Sequence, residues 1–249
     1  MTTYSTPTHL ARIRDILCSY FRLPFSGDRI PGDVMEGTLA QVRDATRLGR
    51  YDFIDVVKEA ERVGWQVKST AEGTPVTWKR AKIEGRTDLI AASETGAEGR
   101  RALGKAIIDF CNAAVARDFE RYAIDQILYA RLIVHPDATA TYFERELATR
   151  REPRIFDPSD FEWHWTTQRT GLKKEQLSAF HGIQKASGKK WWAWHGRGEN
   201  QLHFSGESEW WPSPVDPHSI RFDLPTERFS LDELLELLDP KAGKPDPQG

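Results

Sequence analysis

The spacing of apolar residues changes period close to residue 50, and this change constrains the fold more than any other feature of the chain. Upstream, Leu10, Ile13, Ile16, Leu17 and Tyr20 recur at helical intervals behind Thr6 and Pro7, an N-cap residue and a first-turn proline, and the helix should end near Arg22. Pro24, Gly27, Pro31 and Gly32 mark a loop. Asp33 and Glu36 then have capping-box spacing ahead of Leu39, Val42 and Leu48, with Gly49 as the stop of a second helix. Downstream, YDFIDVV (51–57) and VGWQVKS (63–69) are rich in β-branched and aromatic residues and flank the charged spacer KEAER, so they read as a β-hairpin.

Helical spacing returns from Thr95 to Arg117 through Leu103, Ile107, Phe110, Cys111 and Ala114, and 118–130 reads as a second helix or a continuation. RLIVH and TATYF around a PDA turn form another strand pair, followed by a strand at FEWHW and an amphipathic helix from Leu172 to Gly188. KWWAWH and QLHFSG around GRGEN make a further hairpin, and Ser230 with Glu233 caps a last helix through Leu238. The expected class is α+β, a central mixed sheet flanked by helices. Residues 1–120 should hold the catalytic half and 121–240 a tryptophan-containing half in the same compact domain, with a disordered tail at 241–249.

Charge and composition exclude several classes. Lys and Arg number 35 against 37 Asp and Glu, so any polyanion-binding surface must arise from local charge separation. Cys18 and Cys111 form no CxxC spacing, which excludes a thiolate zinc site and a disulfide framework and fits a reducing cytoplasm. No apolar run approaches the roughly 18 residues of a membrane span. Six of the nine tryptophans fall at 165, 191, 192, 194, 210 and 211, where they either fill a core or stack on bases. No glycine-rich phosphate loop or serine nucleophile elbow is present.

Chemistry concentrates at 49–70. Gln66 and Lys68, two residues apart on a strand, point to one face, with an aspartate on the preceding strand. Asp52 and Asp55 are an odd number apart, so on a regular strand only one can join them. If Phe53 and Val57 share the buried face with Trp65 and Val67, that one is Asp52; the opposite register selects Asp55. The stretch resembles the signature of PD-(D/E)XK nucleases, in which an Asp and an acidic or Gln residue plus Lys meet at one edge of the sheet. The resemblance covers about a tenth of the chain and departs from the commonest pattern in having Gln66 where an acid usually stands.

The resemblance implies a restriction-endonuclease-like core and magnesium-dependent hydrolysis of double-stranded DNA, with Asp52 as the preferred acid and Asp55 as its alternate. Magnesium takes hard oxygen ligands, here Asp52, Gln66 and the Val67 backbone carbonyl, while Lys68 would orient water. Glu36 would add a carboxylate from the preceding helix, or it only closes the capping box. Lys79, Arg80, Lys82 and Arg86 surround Trp78 and would hold phosphates. Arg197, Glu199, Asn200 and Gln201 could read base edges, or form a polar turn. His195 and His203 would need His164 or Glu199 to make a zinc site, so no metal is assigned there. The implied protein is a type II restriction enzyme, a homodimer matched to two-fold DNA and functionally paired with a DNA methyltransferase. A repair or structure-selective nuclease and a non-catalytic nucleic-acid-binding protein are the alternatives.

Overall fold

The computed structural model describes residues 3–49, 52–167 and 177–238. Helix α1 (Pro7–Phe21) starts as its sequence requires: the Thr6 hydroxyl accepts from the His9 N–H, while His9 Nδ1 accepts from the Thr6 N–H. It buries Leu10, Ile13, Leu17 and Phe21. Helix α2 (Gly32–Arg43) is shorter than its apolar pattern predicts, because Asp44 turns left-handed at φ 49° and stops it. The expected Asp33–Glu36 capping box does not form. Asp33 already lies inside the first turn, and Glu36 pairs with Arg47 at 2.9 Å.

The strands that follow are β1 (Thr46–Arg47), β2 (Val56–Lys58), β3 (Val63–Ala71) and β4 (Val76–Arg80). After them come α3 (Arg86–Thr95), α4 (Ala97–Arg121), β5 (Gln126–Val134) and β6 (Thr139–Thr149). The second half adds β7 (Phe161–Trp165), β8 (Phe180–Gln184), β9 (Lys190–Trp194), β10 (Gln201–Phe204), β11 (Ser219–Asp223) and α5 (Leu231–Leu238). The chain is α+β, as expected.

One mixed sheet has the order β1-β2-β3-β5-β6-β11 and an antiparallel sheet the order β4-β10-β9-β8-β7. Strands β3 and β5 run parallel over nine pairs, from Val63 opposite Gln126 to Ala71 opposite Val134, with α4 as part of the crossover. Both faces of β5 are covered. Leu128, Ala130 and Leu132 pack toward α1 and α2, whereas Ile127, Tyr129 and Ile133 pack toward α4 and the second sheet. This double burial explains why 126–130 is strand rather than the expected helix.

Two further expectations change. Residues 172–176 of the expected helix at 172–188 lie outside the described residues, and 180–184 is β8, paired on both sides. Trp163 presses against Gly182, where a Cβ would come within 2.8 Å of the indole, so this strand is selected by tertiary packing. Strands from either side of residue 120 pair in both sheets, so the two halves interlock. Trp191, Trp192 and Trp194 are buried among Phe156, Phe180 and Phe204, which makes them core. Among the described residues no helix is long and apolar enough to cross a membrane. The tail at 241–249 lies outside the described residues.

Candidate functional site

Strand β3 is nine residues long, but β2 covers only its first three, leaving the edge from Gln66 onward without a strand. Asp55 occupies the start of that gap. Its N–H donates to the Trp65 carbonyl at 2.7 Å, and its Oδ2 accepts from the Val67 N–H at 2.7 Å. The N–H and C=O of one residue in an extended strand point to the same edge, so the Val67 carbonyl is turned toward this edge as well. Lys68 Nζ lies 3.5 Å from Asp55 Oδ2.

Glu36 enters from α2. Burial raises its carboxyl pKa and the Asp55 charge adds to this, while Arg47 and Lys68 act in the opposite direction. Glu36, Asp55 and Lys68 are therefore electrostatically coupled, and their side chains are 22%, 23% and 18% exposed. Gln66, on the same face of β3 as Lys68, is almost wholly buried. Its Nε2 faces the Trp78 carbonyl at 3.5 Å, and its Oε1 has no hydrogen-bond partner. A buried amide oxygen without a partner costs about 1–3 kcal/mol, so Gln66 Oε1 retains the capacity to accept one donor or ligand.

The structure brings Asp55, not Asp52, to Lys68. Residues 52–55 are not extended strand, so alternation does not govern them. Asp118 Oδ2 on α4 accepts from the N–H groups of Phe53 at 2.7 Å and Ile54 at 2.9 Å and bends the segment inward. Phe53 and Val57 then pack toward α4, opposite Trp65 and Val67, against the register that selected Asp52. Asp52 itself is held by Arg121 at 2.7 Å and by the Tyr122 hydroxyl at 2.7 Å. Burial, followed by that carboxylate, pushes the Tyr122 hydroxyl up to about 12.

The DNA-binding candidates divide. Lys79 turns toward α4, beside Asp118, Arg117 and Asp52, and burial lowers its pKa. Arg80 and Lys82 are exposed, with Arg80 4.0 Å from Glu199. Arg86 donates to Asn200 Oδ1 at 2.6 Å, and the Gln201 amide donates to Glu199 at 2.9 Å. Arg197 pairs with Glu94 and lies 4.5 Å over the Trp165 ring. The basic run and the 196–200 turn thus form one surface, but its polar groups bond one another as a structural junction.

Two residues were missed. Asp118 is hidden in a helix by its ordinary acidic spacing. Arg131 stands opposite Lys68 on β5, is 1% exposed and donates to Thr70 Oγ1 at 2.7 Å. An arginine inside RLIV was the available signal, since a charge in an apolar strand needs a partner.

Among the described residues no three His, Cys, Asp or Glu side chains converge as metal ligands. What the edge of β3 offers is a mixed oxygen set: two carboxylates, Asp55 and Glu36, with the neutral Gln66 Oε1 and Val67 carbonyl. Such donors fit magnesium, which binds few carboxylates and keeps waters. Comparison with protein-family models, curated proteins and solved structures gives no match.

Proposed function

We propose that the chain is a magnesium-dependent DNA endonuclease of the PD-(D/E)XK type, a type II restriction enzyme, with Asp55 in place of Asp52. The observation that carries this reading is the meeting of Asp55 and Lys68 at 3.5 Å on the uncovered edge of β3, together with the partnerless Gln66 Oε1 and with Glu36.

Asp55, Glu36, Gln66 Oε1 and the Val67 carbonyl would hold the metal, which when bound polarises a phosphate and acidifies a coordinated water. The protein supplies the rest. Lys68 orients the attacking water and offsets the negative charge that grows on the phosphoryl oxygens. The oxygen of that water bonds to phosphorus and gives up a proton to solvent, a phosphodiester P–O bond breaks, and the leaving oxygen takes up a proton from solvent. Arg47 pairs with Glu36 and burial raises the Glu36 pKa, and both would tune the affinity for the metal. Arg80 and Lys82 would hold the DNA backbone, a homodimer would treat both strands, and a separate methyltransferase would protect cytoplasmic host DNA.

The test is cleavage of phage DNA with magnesium by four proteins. Lys68→Ala and Asp55→Ala should each lose about 10²-fold or more in turnover while still binding DNA, and Asp52→Ala should retain activity if folded. An active, folded Asp55→Ala beside a dead, folded Asp52→Ala would restore the assignment to Asp52. Absence of hydrolysis by the wild type would favour a silent DNA-binding protein, the reading that Gln66 in place of an acid supports.

A further inference from the structure

The outer face of the second sheet, away from the tryptophan core, carries a row of imidazoles. Register places His164 opposite His181, His181 opposite Ala193, and Ala193 opposite His203, with His195 two residues along the same face. The rings of His164 and His181 are 5.8 Å apart and those of His195 and His203 5.0 Å. Ala193, small and central, leaves a depression lined by His181, Lys190, His195, His203, Thr166 and Thr167, with no Asp or Glu among its described lining residues.

We propose that this depression binds a phosphoryl anion through Lys190 and the N–H groups of His181 and His195. The charge pattern selects an anion. Burial and then Lys190 hold His181 down at about 4 and lower His195, and burial with the charges of His195 and Lys190 lowers His203. At neutral pH each imidazole is therefore neutral and offers one N–H, while the exposed Lys190 supplies the charge. A metal ion would meet that ammonium and, among the described residues, no converging ligand set. Of the carboxylates on and beside these strands, Glu199 is tied to Arg80 and Gln201, and Glu162, although on the same outer face as His164, does not line the depression. Gln201 Oε1, 3.1 Å from His203 Nε2, accepts the one N–H of that ring, so His203 lines the depression without donating to the anion. Tetrahedral phosphoryl oxygens suit donors that arrive from two neighbouring strands. An anion favours protonated imidazole, so binding takes up protons and affinity should rise as pH falls from 6.5 toward 4.

This site stands apart from the β3 edge and is tested in the full-length chain carrying Lys68→Ala, which prevents DNA turnover. Imidazole resonances are followed by NMR as inorganic phosphate is added, then as a short duplex is added. The expected result is a saturable shift confined to His181, His195 and His203, a rise in the His181 pKa, and about tenfold weaker affinity in Lys190→Ala. Displacement of phosphate by duplex identifies backbone phosphate as the source; no displacement identifies a free phosphate or nucleotide. Shifts that do not saturate, an unchanged Lys190→Ala, or saturation by zinc but not by phosphate would each overturn the proposal.

Discussion

Asp118→Ala should loosen the segment that carries Asp55. In the wild type one buried carboxylate oxygen takes two backbone N–H groups, those of Phe53 and Ile54, at 2.7 and 2.9 Å. Alanine leaves both donors without a partner beside the core. At about 1–3 kcal/mol for each orphaned group, the loss is about 4 kcal/mol at mid-range. For a chain of this size that corresponds to a fall in Tm of roughly 8–16 °C. Asp118→Asn keeps one amide oxygen that accepts both bonds without the charge. Burial raises the Asp118 pKa despite those bonds, so the ionised form is disfavoured by folding. The wild type therefore loses some stability as pH rises above 3.8 through the folded pKa, and the asparagine variant does not. Its net loss should stay below about 2 kcal/mol at neutral pH. Urea unfolding at pH 4 and pH 7 measures both effects. An alanine variant within about 1 kcal/mol of wild type would refute the view that Asp118 holds residues 53 and 54.

Gly104→Ala should destabilise although alanine is the better helix former by about 1 kcal/mol, because its Cβ would lie 2.2 Å from Trp163 Cδ1; a raised Tm would refute the packing. His181 stays neutral in the folded chain down to about 4, whereas the unfolded chain protonates near 6.5. Acid should therefore weaken the fold between those values, and His181→Gln should flatten that limb of the stability profile; an unchanged limb argues against it. Arg80→Ala and Lys82→Ala should each reduce the slope of log affinity for DNA against log salt by about 1, while Lys79→Ala, turned toward α4, should leave it unchanged.

Local signals carried much of the fold. Thr6-Pro7 capped α1, Ser230 and Glu233 capped α5, and the alternation of KWWAWH and QLHFSG gave β9 and β10, because each element's preference agreed with its packing. The readings that failed depended on distant partners. QILYARLIV became a strand through nine pairs with β3, and FHGIQ through Trp163 filling the space over Gly182. The site divides in the same way. Gln66 and Lys68 follow from strand alternation within one segment, but the choice between Asp52 and Asp55 turned on Asp118, more than sixty residues away. Period-2 reasoning applies only where the backbone is extended, and Asp118 ensures that at 52–55 it is not.

The parallel pairing of β3 with β5 has a consequence for synthesis. Glu36, Asp55, Gln66 and Lys68 all leave the ribosome before residue 70, yet Val63 finds its partner 63 positions later, at Gln126. Until then β3 has only the short β2 beside it, and its apolar faces lack both the central strand and helix α4. A growing polypeptide thus carries every candidate hydrolytic group long before it has a scaffold to align them, and assembly waits on slow, non-local closure. Chains released early would be inert toward DNA but would expose an unpaired, strongly apolar edge, making them substrates for chaperones and proteases.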